Sequence, residues 1–405
     1  MSDSFDFAVI GAGIAGVSIA SHLAEHGRVT VMEMEPQPGY HSTGRSVSLF
    51  SETYGTPVIR ALSRASRRFY FEPPRTFCTA PLVAPRPVLM IASGSQAGAL
   101  QEFLASVTPA DRVERLTPRE AIEAFPLLAP GELAGAALQR GTADIDVHEL
   151  LQGYLRSFKA RGGILSVDTT LTQLVRQGDA WTLSTSRGVI RATIVVNAAG
   201  AWAGEIGKLA GATDIDLRPL RRSVALIEQP SGHNMNDWPL LLDAEEGFYV
   251  KPSPGRLFLS PADETLSVPC DAQADDMDLA EAVDRFERAT TIQVKRLVGQ
   301  WAGLRSFVAD RSPVVGFDPL VPGFFWLAAL GGYGIQTAPA LSLLAASWAS
   351  GRPIEKDLGA PDFPGISEIA EYQMSPSRLK SRAETTPVGG HRQGPHRSPS
   401  VSQTR

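Results

Sequence analysis

The stretch Phe7-Ala8-Val9-Ile10-Gly11-Ala12-Gly13-Ile14-Ala15-Gly16 decides the fold of this 405-residue chain. Its four leading apolar residues are typical of a short buried strand, and the glycines form a Gly-x-Gly-x-x-Gly turn before a helical pattern that continues up to Gly27. A second apolar run, Val29-Thr30-Val31-Met32, ends at Glu33. The distance from the first glycine to this acid is the roughly 20 residues of a dinucleotide-binding βαβ unit. The stretch therefore predicts strand, turn, helix and strand around a nucleotide.

Each of the three glycines and the acid of this pattern has a physical role. Gly11 allows the tight turn, and Gly13 lets the backbone approach a pyrophosphate at the N-terminus of the helix. Gly16 permits close packing of the helix on the strand, and Glu33 can accept hydrogen bonds from ribose hydroxyls. A glycine-rich turn without a ligand is the alternative, but the two strands and the acid favour the dinucleotide site.

The same helix contains His22-Leu23-Ala24-Glu25-His26, which matches the HxxEH pattern of one class of zinc peptidases. Such a site needs a further acidic ligand and an open cleft. This helix begins instead at a nucleotide fingerprint, and we expect its polar face to be exposed to solvent. We therefore predict no metal site.

Composition excludes several classes of protein. A chain of this length is expected to form two or three domains. Hydrophobic residues make up 43% and charged residues 20%, and the formal net charge is −5, which favours a soluble globular protein without a nucleic-acid partner. The two cysteines, Cys78 and Cys270, lie far apart, which fits a reducing compartment and excludes a cysteine-ligated metal centre.

Two apolar segments resemble export or membrane signals. The N-terminus carries Asp3 and Asp6 where a signal peptide needs positive charge. The uncharged segment between Asp318 and Arg352 is long enough to cross a bilayer, but several glycines and Pro339 interrupt it. We therefore predict a cytoplasmic protein with no membrane span.

The middle of the chain predicts further elements of the same sheet. A capping signal at Asp146 indicates a helix through about Lys159. A buried-type strand at 190–196 ends in the small residues 197–202, which would let the backbone pass close to a bound cofactor. Short strands that we interpret as a small β-meander inserted in the sheet are expected around 164–167, 171–176 and 181–186.

Further motifs give the chain a resemblance to a known superfamily. Besides Gly11, Gly13, Gly16 and Glu33, they lie at 39–46, 143–146, 197–202, 221–223, 248–252, 301–307 and 331–337. With them, the sequence from residue 5 to about 380 resembles the FAD-dependent D-amino acid oxidase and glycine oxidase superfamily, and most closely its bacterial D-arginine dehydrogenase branch.

The resemblance implies an α/β fold with two interleaved domains. A Rossmann-like FAD-binding domain of the glutathione reductase type would comprise 1–80, 141–215 and 306–375. An α+β substrate-binding domain with a large mixed sheet would comprise 81–140 and 216–305. Residues 381–405, rich in Ser, Pro, Gly and Arg, are predicted to form a disordered tail.

The resemblance also implies that FAD is bound non-covalently. At the entrance to the last helix, residues 331–336 would direct N–H groups and the helix dipole at the flavin N1–C2=O region, where reduction places negative charge. The purely structural interpretation of this segment is a strand-to-helix turn. The implied cofactor-binding residues are Gly11, Gly13, Ile14, Ala15, Gly16, Glu33, Met34, Ser42, Thr43, Gly44, Arg45, Ser46, Ser48, Leu49, Leu171, Ala199, Gly200, Trp202, Gly331, Gly332, Tyr333, Gly334, Ile335 and Gln336.

Residue chemistry suggests how a substrate carboxylate would be bound. Arg305 lies in a mostly uncharged segment, where its burial requires an anion, and a guanidinium can hold a carboxylate with two hydrogen bonds. The alternative is an ion pair with Asp310 or Glu228. Arg221 and Arg222 should point to opposite faces of a strand.

The resemblance assigns Arg222, rather than Arg221, to the pocket. It also assigns Tyr249 as a hydroxyl donor to the same carboxylate, whereas the alternative is a tyrosine of the core. Tyr54 resembles the mobile lid tyrosine of the family. These residues and Arg305 are the predicted catalytic set.

The implied reaction is the oxidative deamination of a D-amino acid to a 2-oxo acid and ammonia, with hydride transfer from Cα to flavin N5. Orientation of the substrate would be the main catalytic contribution of the protein. A quinone or O₂ would accept the electrons. A secondary amine or N-substituted glycine oxidase, and a catalytically silent flavin-binding subunit, are the alternatives.

Two apolar residues depart from the pattern of the D-arginine enzymes. Val88 stands where they carry a glutamate that recognises the guanidinium of the substrate, and Leu49 stands where they carry a histidine. With Tyr333, these two residues are predicted to line the substrate pocket. Because valine cannot compensate a buried charge, apolar D-amino acids should be preferred over D-Arg and D-Lys, unless Glu52 or Glu246 supplies the charge.

Overall fold

The computed structural model describes residues 4–354 and 363–379, so the predicted tail at 381–405 lies outside the described residues. The described helices are α1 Ile14–Leu23, α2 Pro57–Phe71, α3 Ala97–Ser106, α4 Pro118–Ala124, α5 Val147–Ala160, α6 Ala203–Ala210, α7 Asp276–Ala289 and α8 Gly334–Ser350. The described strands are β1 Ser4–Ile10, β2 Val29–Met32, β3 Leu49–Phe50, β4 Val83–Pro85, β5 Val88–Ser93, β6 Val113–Leu116, β7 Leu133–Gln139, β8 Ala143–Ile145, β9 Ile164–Ser166, β10 Leu171–Gln177, β11 Ala180–Thr185, β12 Gly188–Asn197, β13 Arg218–Glu228, β14 Leu240–Asp243, β15 Tyr249–Ser253, β16 Arg256–Ser260, β17 Thr265–Leu266, β18 Leu297–Phe307, β19 Val314–Phe317 and β20 Phe324–Ala328.

The first of two large sheets has eight strands and contains the predicted βαβ unit. Its order is β10-β11-β12-β1-β2-β9, with β20 beside β12 and β19 beside β20. Strand β1 runs parallel to both β2 and β12, and Val9, Val31 and Val196 in these strands are fully buried. Such continuous apolar strands are expected where helices cover both faces of a parallel sheet. The predicted strand, turn, helix and strand are confirmed.

Two predicted boundaries differ from the structure. Helix α1 ends at Leu23 rather than continuing to Gly27, because after the Ala24 N–H has bonded to the Ala20 carbonyl, the Glu25 N–H bonds to the His22 carbonyl and the chain turns. Strand β9 is not part of the predicted meander, since it pairs parallel with β2, and the antiparallel meander consists of β10, β11 and β12. The predicted cap of α5 is confirmed, because the Asp146 side chain accepts from the Glu149 N–H.

The second large sheet has nine strands and is mixed, as predicted. Its order is β17-β13-β16-β15-β14-β5-β7-β6, with β18 beside β13, and β14 and β5 form its parallel pair. One face packs on α4 and α7 through a core that includes Phe125, Val250 and Phe286. Its strands come from 88–139 and 218–307, so the chain enters this sheet twice. The exact limits of the two interleaved domains stay a prediction.

The carboxyl ends of the parallel strands of the first sheet lie at the edge where the sequence predicts the cofactor. Strands β1, β12 and β20 are adjacent and parallel, so their carboxyl ends meet at one edge. In open α/β sheets, ligands bind in the crevice outside this edge. Among residues 4–354 and 363–379, no helix is both long and apolar enough to cross a bilayer.

Candidate active site

A single cavity joins the carboxyl edge of the first sheet to the second sheet. Most of the predicted site residues line it, and they come from both sheets. The predicted residues in its lining are Gly11, Gly13, Ile14, Ala15, Glu33, Met34, Ser42, Thr43, Arg45, Ser46, Leu171, Ala199, Gly200, Trp202, Arg222, Tyr249, Arg305, Gly331, Gly332, Gly334 and Ile335.

The three glycines of the fingerprint have different surroundings. Gly11 has φ +98°, and a Cβ atom there would lie 2.7 Å from the carbonyl oxygen of Ala198. A Cβ atom at Gly16 would lie 1.9 Å from the carbonyl oxygen of Gly11, so only glycine permits this contact of helix with turn. At Gly13, the nearest atom to a Cβ would be the Thr43 Oγ1 at 3.3 Å, so this stretch of backbone is open to a ligand.

Glu33 is oriented by the backbone around it. It is buried, and its Oε2 accepts from the Ala12 N–H at 2.7 Å while its Oε1 accepts from the Glu35 N–H at 3.0 Å. A carboxylate fixed at the end of β2 beside the glycine turn is suited to ribose hydroxyls. This carboxylate and the open backbone at Gly13 together fit the adenosine and pyrophosphate part of FAD.

A second helix also begins at the cavity. Gly331 has φ +54°, and the turn it makes leads into α8, whose first residue, Gly334, lines the cavity. Helix N-termini favour negative charge. The Gln336 side chain lies elsewhere, because it bonds to the Ser51 N–H at 3.2 Å and the Ser63 Oγ at 3.0 Å in a buried network.

Arg305 faces the cavity without an ion-pair partner in the described part of the chain. Its guanidinium lies over Gly332, where a Cβ atom would be 2.8 Å from the Arg305 Cζ. The alternative partners considered from sequence are engaged elsewhere, Asp310 with Arg378 at 2.9 Å and Glu228 with Arg296 at 2.8 Å. The interpretation of Arg305 as an internal ion pair with either acid is therefore wrong.

Arg222 lies beside Arg305 and is only partly satisfied. It is 6% exposed, and its Nη2 donates to the Glu264 Oε1 at 3.2 Å. Its Nε is buried without a hydrogen-bond partner among the described residues. Burial, together with the nearby positive charge of Arg305, lowers the pKa of Arg222. As expected, Arg221 points to the other face of β13, where its Nη2 lies 2.7 Å from Asp278.

Three tyrosines surround the two guanidiniums. Tyr249 lines the cavity beside Arg222, whereas Tyr54 and Tyr333 lie outside its lining and pack edge to face with their ring centroids 5.0 Å apart. Burial, followed by the proximity of Tyr54, raises the pKa of Tyr333 to about 12. The pKa of Arg305 is lowered by burial but raised overall by the neighbouring tyrosine oxygens, including a hydrogen bond with Tyr54.

Leu49 and Val88 do not line the cavity. Leu49 pairs with Asp144 between β3 and β8, and Val88 is buried between Leu240 and Gln139 in the second sheet. The remaining predicted residues outside the lining are Gly16, Gly44, Ser48, Tyr54, Tyr333 and Gln336.

The residues directly across the sheet from Tyr249 differ from those predicted. Tyr249 pairs with Leu242, and Leu242 pairs with Met90 on the next strand. Both are half-buried, whereas Val88 is 6% exposed. Paired residues share one face of a sheet, so Leu242 and Met90 lie on the same face as Tyr249.

Sequence reasoning missed other contributors to the site. His41, Val47, Thr170 and residues 327–330 line the cavity, and Glu264 contacts Arg222. The segment 327–330 could have been found, because it closes a buried parallel strand at the edge where ligands bind. No local pattern marks Glu264.

The HxxEH segment is exposed only in part, because Glu25 is exposed whereas His22 and His26 are half-buried. The His22 ring lies 6.2 Å from the Tyr154 ring, and burial, with smaller contributions from Arg161 and His26, lowers the pKa of His22 to about 4. Glu25 forms an ion pair with Arg161. The reason is that α5 packs on α1 at this point, which the local pattern does not reveal.

Comparison with known proteins agrees with this geometry. The family model described as FAD dependent oxidoreductase matches residues 6–348. The chain belongs to this family. The FAD-dependent oxidoreductase described here is 25% identical over 375 residues to glycine oxidase of Geobacillus kaustophilus, covering 88% of this chain and 96% of that protein. The crystal structure of glycine oxidase from the same organism superimposes with a TM-score of 0.76 at 22% identity, covering 89% of this chain and 99% of that chain.

A second relative of this FAD-dependent oxidoreductase is longer. Mouse mitochondrial dimethylglycine dehydrogenase is 24% identical over 377 residues, which cover 85% of this chain but 42% of that protein. The chain therefore matches less than half of that relative. In the oxidoreductase, the glycine turn, Glu33 and the N-termini of α1 and α8 would hold FAD.

Proposed function

We propose that this FAD-dependent oxidoreductase oxidises the Cα–N bond of an amino acid whose carboxylate is bound by Arg222, Arg305 and Tyr249. The observation that carries the proposal is the unpartnered, buried Nε of Arg222 next to Arg305, which has no ion pair within the described residues. Two adjacent guanidiniums repel each other and are costly to bury, so they require an anion.

The protein's contribution to the reaction is orientation. When bound, FAD supplies the two-electron acceptor for the Cα–H bond. The two guanidiniums would fix the carboxylate, and the tyrosine hydroxyl would hold its second oxygen, so that the Cα–H bond keeps one direction in the cavity. No side-chain base is required if the amine binds in its neutral form. The imino acid product would then hydrolyse to a 2-oxo acid and ammonia.

The proposed substrate class is D-amino acids with apolar side chains. Its support is the resemblance to the D-arginine enzymes combined with apolar residues around Tyr249. Leu242 and Met90 share its face of the sheet. Val88 is a buried apolar residue two positions before Met90 on β5. Of the two candidate counter-charges for a cationic substrate, Glu52 is engaged by Arg67 at 2.8 Å, whereas Glu246 is exposed near Tyr333.

Oxidation of glycine or of an N-substituted glycine is the second candidate. Glycine oxidase and dimethylglycine dehydrogenase are the names of two relatives of this chain. The same two arginines would bind the carboxylate in either case, so the carboxylate site does not discriminate between the candidates. The candidates differ in the substrate side chain and in the substituent on the amine, so the parts of the pocket that contact these groups discriminate between them.

Anaerobic reduction of the bound FAD tests these alternatives directly. The parent enzyme would be mixed with D-Met, L-Met, D-Arg, glycine, sarcosine and dimethylglycine, and bleaching of the flavin absorbance would be followed. We expect D-Met to reduce the flavin most efficiently. Faster reduction by sarcosine or dimethylglycine would transfer the assignment to the second candidate, and no reduction by any of the six would overturn the carboxylate-binding proposal.

The same assay examines the departure from the D-arginine enzymes at Val88. Val88→Glu should recover part of the activity on D-Arg if Val88 lies within reach of the substrate side chain. Leu242→Ala is the comparison, because Leu242 pairs with Tyr249 directly. A selectivity change in the Leu242 variant alone would place the side-chain subsite one strand nearer to Tyr249 than the sequence predicted.

A further inference from the structure

A buried cluster of three charged side chains lies outside the proposed chemistry. The Lys251 Nζ is 2.9 Å from the Asp144 Oδ1, and the Asp144 Oδ2 is 2.9 Å from the Arg86 Nε. The side chains of Lys251, Asp144 and Arg86 are 9%, 21% and 11% exposed. Two cations share one carboxylate. One cation is enough to balance the charge of Asp144, so charge balance does not explain why both are present.

The ammonium of Lys251 is held by two backbone carbonyls and by the charge of Asp144. It donates to the Val47 carbonyl at 2.6 Å and to the Ser48 carbonyl at 2.8 Å, and its contact with the Asp144 Oδ1 is an ion pair. Burial lowers the pKa of Lys251, while the charge of Asp144 opposes this shift. The lysine therefore acts as a bridge between the second sheet and backbone near the cavity.

Both ends of this bridge belong to the site. Lys251 and Tyr249 are two residues apart on β15 and share one face of the sheet. Val47 lines the cavity, and Ser48 has φ +39°, a left-handed conformation that is unfavourable for a residue other than glycine. A bond to its carbonyl helps to hold this conformation.

The loop of residues 42–48, here called the cofactor loop, is also fixed at its other end. The Ser42 Oγ donates to the Leu304 carbonyl at 2.6 Å, and an Arg45 Nη1 donates to the Ala302 carbonyl at 3.0 Å. Both acceptors lie on β18, the strand that carries Arg305. The cofactor loop thus lies between the two strands that carry Tyr249 and Arg305.

We propose that Lys251 is a positioning residue that fixes the cofactor loop against β15 and thereby sets both FAD affinity and the place of Tyr249. The effect of Lys251 on FAD affinity depends only on the chain belonging to the FAD-dependent family. Its effect on the position of Tyr249 rests on the proposed function. The competing explanation is that Lys251 only balances the charge of Asp144.

A double variant separates these explanations. K251M removes the ammonium, with its two hydrogen bonds to backbone, at nearly constant side-chain length. K251M/D144N removes the lysine and the carboxylate together, which restores the net charge of the cluster but leaves the Val47 and Ser48 carbonyls without their donor. K251R keeps a cation with donors, and K295M changes an exposed lysine as the control.

Dissociation of FAD from each holoenzyme would be measured by the fluorescence of the released flavin. Because two charge-assisted hydrogen bonds are lost, K251M and K251M/D144N should both release FAD with a Kd raised about tenfold or more, while K295M stays at the parental value. K251R should recover part of the affinity. Parental affinity in K251M/D144N together with weakened affinity in K251M would overturn the proposal in favour of charge balance. Parental affinity in K251M itself would overturn both explanations.

Two further readouts exclude a general loss of structure. Far-UV circular dichroism should remain parental in each variant, and if K251M does not fold, K251R and K251M/D144N still decide. In the FAD-saturated variants, anaerobic reduction should need a higher D-Met concentration to reach half of its maximal rate, because Tyr249 is displaced. If no amino acid reduces even the parent flavin, the proposed function fails while the FAD measurements still decide the role of Lys251.

Discussion

Glu264 joins Arg222, which lines the cavity, to Arg311. Its Oε1 lies 3.2 Å from the Arg222 Nη2, and the Arg311 guanidinium holds both carboxylate oxygens at 2.7 and 3.0 Å. Arg222 is nearly buried, whereas Glu264 and Arg311 are partly exposed. Burial, followed by the charge of Arg305, lowers the pKa of Arg222, and the charge of Glu264 opposes this shift only in part.

Glu264→Gln should therefore make a bound carboxylate ligand more stabilising. Glutamine keeps the shape but removes the charge, which leaves Arg222 and Arg305 more dependent on an external anion. We expect N-acetylglycine to raise the Tm of Glu264→Gln by more than it raises the parental Tm. Glu205→Gln, at an exposed site on α6, is the control. An equal or smaller rise would mean that Glu264 aligns Arg222 rather than competing with the ligand.

Removal of either cavity arginine should impair substrate handling while leaving FAD bound. Truncating one partner of a desolvated charge pair costs about 2–5 kcal/mol, so the kcat/KM of Arg305→Ala and Arg222→Ala should fall correspondingly. Arg221→Ala is a matched control, because the Arg221 side chain points to the face of β13 opposite Arg222 and pairs with Asp278. Near-parental flavin reduction at low substrate concentration in either cavity variant would assign that arginine a structural role.

Alanine at two glycines of the fingerprint should have different consequences. At Gly16 a Cβ atom would overlap the backbone of Gly11, so Gly16→Ala should lower the thermal stability of the apoprotein. At Gly13 the Cβ atom would meet only the Thr43 hydroxyl, so Gly13→Ala should fold normally and bind FAD more weakly, because it hinders the approach of a pyrophosphate. Differential scanning fluorimetry and FAD titration would separate the two effects. Normal FAD affinity in Gly13→Ala would place the pyrophosphate elsewhere.

His22 should make the protein less stable in mild acid. The pKa of His22 is lowered from 6.5 to about 4 in the folded protein, so between these values the unfolded chain binds a proton that the folded chain does not. Stability is therefore lost as the pH falls from 6.5 towards 4, by roughly 2 kcal/mol at pH 5 if this group acts alone. Urea unfolding at pH 7 and pH 5 should show a smaller loss in His22→Gln than in the parent. His148→Gln, at an exposed site, is the control.

The non-covalent binding of FAD is a separate expectation. Among residues 271–405 there is no cysteine that could form a thioether, and Cys270 precedes them. Acid precipitation of the holoenzyme should leave the yellow chromophore in the supernatant. Colour that remains in the pellet would show a covalent bond.

The sequence by itself determined the elements whose causes are local. The β1-α1-β2 unit follows from glycine spacing and from two apolar runs, and the start of α5 follows from the Asp146 side chain reaching the Glu149 N–H three residues away. The opposite directions of Arg221 and Arg222 follow from the alternation of side chains along one strand. In each case the interacting groups are close in sequence, so the pattern contains the information.

Only the tertiary structure decided which distant residues meet. Leu49 and Val88 lie outside the cavity lining because strand register places Leu49 beside Asp144 and Val88 between Leu240 and Gln139. Lys251 reaches the Val47 and Ser48 carbonyls across about 200 residues of sequence, a contact set by packing of the second sheet on the cofactor loop. Register and sheet packing depend on all strands together, and for that reason no single stretch of the sequence reveals them.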